Sequence, residues 1–103
     1  MTAIPVEFHP EALADAQGAL EWYSERSLRA ADAFLEELDD ALRLIAEAPQ
    51  RWPRYEAGTR RLPLRRFPYF VVYRERFHTV QVLAIAHGRR RPGYWRSRAE
   101  RQS

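Results

Sequence analysis

Arg90, Tyr94 and His87 are residues whose types and spacing can carry a reaction. Metal-free RNA cleavage needs a base for the 2′-hydroxyl, cations for the added charge on the phosphorane and an acid for the leaving oxygen. Guanidinium groups would steady that charge. A phenol among them is expected to have its pKa lowered, because they favour the phenolate, and His87 supplies an imidazole, the side-chain type most often used as acid or base. A histidine closing a strand also serves simply as a hydrogen-bonding residue, so a structural role stands beside the catalytic one.

More arginines surround these residues. Arg60, Arg61, Arg65 and Arg66 bracket the first strand of a C-terminal meander, Arg74 and Arg76 lie at its next hairpin, and Arg89, Arg90 and Arg91 follow its last strand. Strand ends are expected to gather several of them on a basic concave surface. Tyr69, Tyr73, Tyr94 and Trp95 are interleaved, and such rings stack on unpaired bases while guanidinium groups hold phosphates. The competing reading places these rings in the core and gives the arginines to an acidic protein partner.

Composition narrows the field. The chain has 103 residues, a formal net charge of +3 and no cysteine. It is long enough to bury roughly 65% of its unfolded surface in one core, so one domain over 1–103 is expected. Residues 1–50 carry eleven acids and three arginines, while residues 51–103 carry three acids and fourteen arginines. Every basic residue is Arg, whose planar fork suits carboxylate and phosphate. Without Cys there is no disulfide framework or thiolate nucleophile. His9, His78 and His87 are scattered, the four glycines form no phosphate loop, and no serine sits in a nucleophile elbow; no metal or cofactor is expected. No apolar run approaches the ~20 residues of a membrane helix, and no basic-then-apolar leader is evident. A cytoplasmic protein without membrane contact is expected.

The elements that must position these residues follow from the pattern. Ile4 to Phe8 alternates as a short strand. His9-Pro10-Glu11 opens a first helix, with Leu13, Ala16, Leu20 and Tyr23 on its apolar stripe. Ser27 caps a second helix over Leu28 to Ala48, where Ala31, Phe34, Leu35, Leu38, Leu42 and Ile45 keep the helical period. Asp32, Glu36, Glu37, Asp39 and Asp40 fall on its solvated side, with Arg43 reaching Asp39 and Glu47. After an irregular connection over 49–58, strands are expected at Arg60 to Arg66, Tyr69 to Arg74 and Thr79 to His87, the last one central. The tail holds at most a short helix around Tyr94 to Glu100, with disorder setting in at about 96–103. The fold class is α+β: an N-terminal strand and a two-helix antiparallel hairpin on one face of a three- to four-stranded antiparallel sheet.

The order Phe8-His9-Pro10-Glu11-Ala12, a hairpin ending Ala48-Pro49, Gly58-Thr59-Arg60-Arg61-Leu62, Phe67 to Arg74 and Val82 to Arg90 resembles the RelE/ParE superfamily of bacterial toxins. The resemblance covers nearly the whole chain. It implies the toxin of a type II toxin–antitoxin, or plasmid-stabilisation, module, held in a hetero-oligomer by an antitoxin from the neighbouring gene. RelE-like members cut messenger RNA on the ribosome. By position Arg90 resembles their arginine after the last strand, Tyr94 their C-terminal tyrosine, and Arg65 or Arg66 stands where they place lysines. This chain departs from them in having no lysine and a tight Arg90 to Tyr94 spacing. ParE-like members poison DNA gyrase without a catalytic set, and the long helix pair with Arg60-Arg61-Leu62 and Pro68 to Tyr73 looks more like that branch. A gyrase poison is therefore the leading expectation, a metal-independent endoribonuclease the alternative and a non-toxic antitoxin-binding module the third. In the binding readings Arg60, Arg61, Arg65, Arg66, Arg74, Arg89, Arg91 and Trp95 meet the antitoxin or target.

Overall fold

A computed structural model describes residues 3–101. Its elements run β1 (Val6–Phe8), α1 (Pro10–Ser24), α2 (Leu28–Glu47), a single 3-10 turn (Glu56–Gly58), β2 (Arg60–Pro63), β3 (Tyr69–Arg76), β4 (Thr79–His87) and α3 (Arg96–Arg101). Local signals set the helix starts. Pro10 occupies the first turn of α1, and His9 Nδ1 accepts the Glu11 N–H at 3.0 Å. Ser27 Oγ accepts the Ala30 N–H at 3.1 Å and caps α2, satisfying a donor that the first turn leaves without a partner.

The four strands lie in the order β1-β4-β3-β2. β2, β3 and β4 form the antiparallel meander, with Arg60 opposite Tyr73 and Tyr69 opposite His87. β1 corrects the expectation of a wholly antiparallel sheet, for it pairs with β4 in parallel, Val6 with Val80 and Phe8 with Val82. The hairpin and two strands intervene between β1 and β4, so no tight turn fixes their relative direction.

Both sheet faces are covered. Phe34, Leu38 and Ile45 from α2 pack with Val71, Tyr73, Val80, Val82 and Ile85 on one face. Trp95 and Ala99 pack with Val72, Leu83, Ala84 and Ala86 on the other. Burial on both sides explains the unbroken apolar run of β4. A register shift at Val72/Tyr73 marks a bulge that places Leu83 and Ala84 in the same second cluster.

Several side chains depart from the helical pattern. α1 meets the core through Ala12 and Ala19, with Ala16, Leu20 and Tyr23 of the expected stripe packed against it, while Leu13 is half-exposed; small residues seven apart let the helix lie close to β4, and Leu13 is rotated away. On α2, Leu35 is similarly exposed, whereas Glu37 is 5% exposed. Glu37 Oε1 accepts the backbone N–H groups of Arg65 and Arg66, and its Oε2 accepts Arg66 Nε at 2.9 Å. Burial alone would push this carboxyl up, but those hydrogen bonds and the Arg66 charge outweigh it and hold the pKa below the ordinary value. Arg43 reaches Asp40 and Glu47, not Asp39. Residues 96–101, placed in the disorder-prone tail, are helical as α3 because Trp95 and Ala99 anchor them in the second cluster; 102 and 103 lie outside the described residues.

Candidate functional site

Arg90, Tyr94 and His87 come to the end of the sheet where β4 stops. His87 meets Tyr69 edge to face, with ring centroids 5.0 Å apart, and helps line a shallow groove with Gly18, Trp22, Tyr23 and Pro68. Its Nδ1 accepts the Arg89 N–H at 3.0 Å. The loop beyond carries Arg90 over the Tyr94 ring, its guanidinium carbon 4.2 Å from the centroid, with Arg98 at 5.1 Å. The phenol does not behave as expected. Burial pushes the Tyr94 pKa up, the charge of Asp15 pushes the same way, and Arg98 and Arg90 oppose them without prevailing. Its hydroxyl therefore stays protonated at neutral pH, so it is a proton donor or a hydrogen-bonding group and not a ready base.

Asp15 and Arg98 escaped the sequence reading. Arg98 is 8% exposed; its Nη1 donates to Asp15 Oδ2 at 2.7 Å and to the Leu83 carbonyl at 3.0 Å. Its Nε lies 3.5 Å from Glu11. Asp15 Oδ2 also accepts the Ile85 N–H at 3.1 Å. Burial disfavours the Arg98 charge, but the Asp15 carboxylate beside it raises its pKa on balance. β1 ends its register with β4 at Val82, so the pair satisfies backbone groups on an edge that β1 does not reach and fixes α3 to α1. No local signal links residues 83 positions apart.

The arginines do not form a single surface. Arg65 and Arg66 leave β2 near the β3 start, where Glu37 holds them. Arg89, Arg90 and Arg91 are exposed after β4. Arg61 lies across the rings of Tyr55 and Phe70, at 4.6 and 5.2 Å. Arg60 and Arg74 lie toward the opposite end of β3, in a cleft that Arg54 and Arg76 share. Tyr69 and Arg76 are seven positions apart on β3, about 23 Å of strand. Trp95 is 1% exposed and stacked on Tyr55 at 5.2 Å, so it fills the second core instead of facing a partner. Among the described residues no three His, Asp or Glu side chains gather as a metal site requires, and no helix is long and apolar enough to cross a membrane.

The comparisons agree with this architecture. The family model described as "ParE toxin of type II toxin-antitoxin system, parDE" matches residues 6–92. A solved structure titled "Chromosomal ParDE TA system from P. aeruginosa" is similar in fold, with a TM-score of 0.72 at 18% identity. That likeness covers 82% of this chain and 96% of the other. No curated protein matches the sequence. The family match spans β1 to the loop after β4, the whole mixed sheet and its helical hairpin, and on it this chain belongs to the ParE toxin family of type II toxin–antitoxin systems.

Proposed function

We propose that this toxin, when free of its antitoxin, inhibits bacterial growth in the cytoplasm by binding and poisoning DNA gyrase, not by cutting messenger RNA. The observation that carries the preference is Tyr94. The raised pKa keeps its phenol from serving as the base that RNA cleavage needs, while His87 Nδ1 is already engaged by the backbone N–H of Arg89. The sheet face beneath α3 is lined by Val72, Ala84 and Ala86 under Trp95, an apolar layer that supplies neither acid nor base. Such a chain is better suited to binding than to proton transfer.

The antitoxin is expected to cover exposed apolar groups such as Trp22, Leu28 and Leu35, and to present acidic side chains to the arginine-rich half, since burying like charges needs counter-charge. The product is a hetero-oligomer in which toxicity is masked.

The test is brief induction of the chain alone in a bacterial host, with plasmid supercoiling and transcript 5′ ends followed together. Relaxed or broken DNA with intact transcripts, and full toxicity of Tyr94→Phe, are the expected results. Codon-phased cuts that Tyr94→Phe abolishes would replace this reading with the endoribonuclease. Unimpaired growth would leave only the non-toxic binding module.

A further inference from the structure

Two arginines at the far end of β3 are held by neutral groups and not by acids. Arg60 opens β2 opposite Tyr73, so Arg74, Glu75 and Arg76 continue β3 with no β2 residue beside them. The 49–58 connection closes the other side, leaving an open cleft lined by Arg54, Arg60, Arg74 and Arg76 with Glu75 and Gly58. Neutral groups orient two of the guanidiniums. Arg60 Nη1 donates to the Trp52 carbonyl at 2.7 Å; Arg74 donates from Nε to Gln81 Oε1 at 2.8 Å and from Nη2 to the Ala99 carbonyl at 3.0 Å.

None of these acceptors cancels charge. Arg43, Arg66, Arg96 and Arg98 each have a carboxylate within 4.0 Å. Among the described residues, none of the four cleft arginines does. The result is a cluster of four guanidiniums, two of them oriented by neutral groups, with Glu75 as the acid in the lining and, among the described residues, in no ion pair with them. Burial pushes the Arg74 pKa down and the neighbouring Arg76 charge adds to it, a repulsion that a bound anion relieves. Planar forks of this kind match the paired oxygens of a phosphate.

The neighbouring hairpin tip narrows the ligand further. Phe77 and His78 form the two-residue turn, with φ of 54° and 56°, where Asn-Gly is the usual solution because side chains resist that backbone. Phe77 nevertheless displays a ring that is 82% exposed, with the Arg76 guanidinium 5.1 Å from its centre. Four of the nine lining residues are arginines, and Pro49 and Ala57 are too small to form an apolar pocket for the side chains of an acidic peptide. An exposed ring beside a row of cations instead matches the way single strands are held, bases stacked and backbone neutralised.

We propose that this cleft binds the phosphodiester backbone of a nucleic-acid strand, Arg54, Arg60, Arg74 and Arg76 contacting phosphates and Phe77 stacking on a base. The site is distinct from the His87 end of the sheet and does not depend on the gyrase reading.

The experiment is fluorescence anisotropy of a labelled single-stranded DNA 20-mer titrated with the purified full chain over a salt series, with an unlabelled RNA 20-mer and a polyglutamate peptide as competitors. Four phosphate contacts give a log–log salt slope of about −3. Among the described residues the Arg54 and Arg76 side chains donate no hydrogen bond to the fold, so Arg54→Gln/Arg76→Gln is expected to fold normally, checked by its circular dichroism. It should bind at least ~10-fold more weakly at ~0.1 M salt, with a slope shallower by about 1.4. Phe77→Ala should weaken binding several-fold at constant slope, and Arg89→Gln/Arg91→Gln should change neither quantity. Unaltered affinity and slope in Arg54→Gln/Arg76→Gln would overturn the proposal, as would a larger loss from Arg89→Gln/Arg91→Gln. Displacement of the DNA by polyglutamate at lower concentration than by RNA would assign the cleft to an acidic protein. Gyrase is absent from the assay, so its outcome and that of the gyrase test are independent.

Discussion

The two ends of β3 show two ways of placing an arginine in a small domain. Near Tyr69 two cations are neutralised from within, the buried Arg98 by Asp15 and the exposed Arg66 by the buried Glu37. Near Arg76 the orienting partners are carbonyls and an amide, which turn a guanidinium without cancelling its charge. The first arrangement spends its charge on holding elements together. The second leaves its charge for something outside the molecule. A count of arginines along the sequence does not distinguish them, because what differs is the acceptor.

The neutralised end should be the more fragile. Asp15→Ala leaves Arg98 buried without its main partner and the Ile85 N–H without an acceptor, a loss of about 3 kcal/mol in urea unfolding. Replacing both residues, as in Asp15→Leu/Arg98→Met, should recover the part due to the stranded charge, leaving only the cost of the unpaired Ile85 N–H and Leu83 carbonyl. A double variant as unstable as the single one would show that the pair does more than neutralise itself.

Glu37 makes the same point with a pH signature. Its pKa is lowered on folding, so the unfolded chain binds its proton more readily. The stabilisation is complete above the unfolded value, near 4.3, and fades as pH falls through the lower folded value. Glu37→Gln should cost about 2 kcal/mol at neutral pH, and the difference from wild type should shrink on acidification from about pH 5 downward. A difference that persists unchanged at pH 3 would remove the charge from the explanation.

These residues also mark the limit of what the sequence discloses. The caps at His9-Pro10 and Ser27, the period of α2 and the centrality of β4 were legible, because each depends on neighbours within a few residues. Three features depend on pairings the chain does not announce. The parallel direction of β1, the meeting of Asp15 with Arg98 across 83 positions, and the burial of an acid at Glu37 all follow from how the hairpin docks. The cleft lies between these cases. Arg60 and Arg74 were visible as strand-end arginines, but only the register of Arg60 opposite Tyr73 brings them together and adds Arg54. Trp95 illustrates the converse: an aromatic among arginines reads equally as a contact residue and as a core residue, and its burial in the second cluster decides for the core.

Tyr73 tests the wall of the cleft without touching its charge. Its hydroxyl donates to the Pro49 carbonyl at 2.6 Å, tying the 49–58 connection to β3, and burial pushes its pKa up to about 12. Tyr73→Phe should lose about 1 kcal/mol at neutral pH. The unfolded phenol ionises near 10, so wild-type stability from this group declines as pH rises from about 10 towards 12. Tyr73→Phe lacks that decline, and the two proteins should converge there in thermal melts.

The smallest effect carries the sharpest contrast. Arg76→Gln removes a half-buried cation, and had that cation been structural its loss would destabilise the chain as Asp15→Ala does. Here no acid is left behind, no backbone group loses a partner, and repulsion with Arg74 is relieved. Stability should therefore change by less than about 0.5 kcal/mol, in the stabilising direction, with the gain shrinking as salt screens the repulsion. A destabilisation above about 1 kcal/mol would mean that this end of β3 is also neutralised from within, and the two ends would no longer differ in kind.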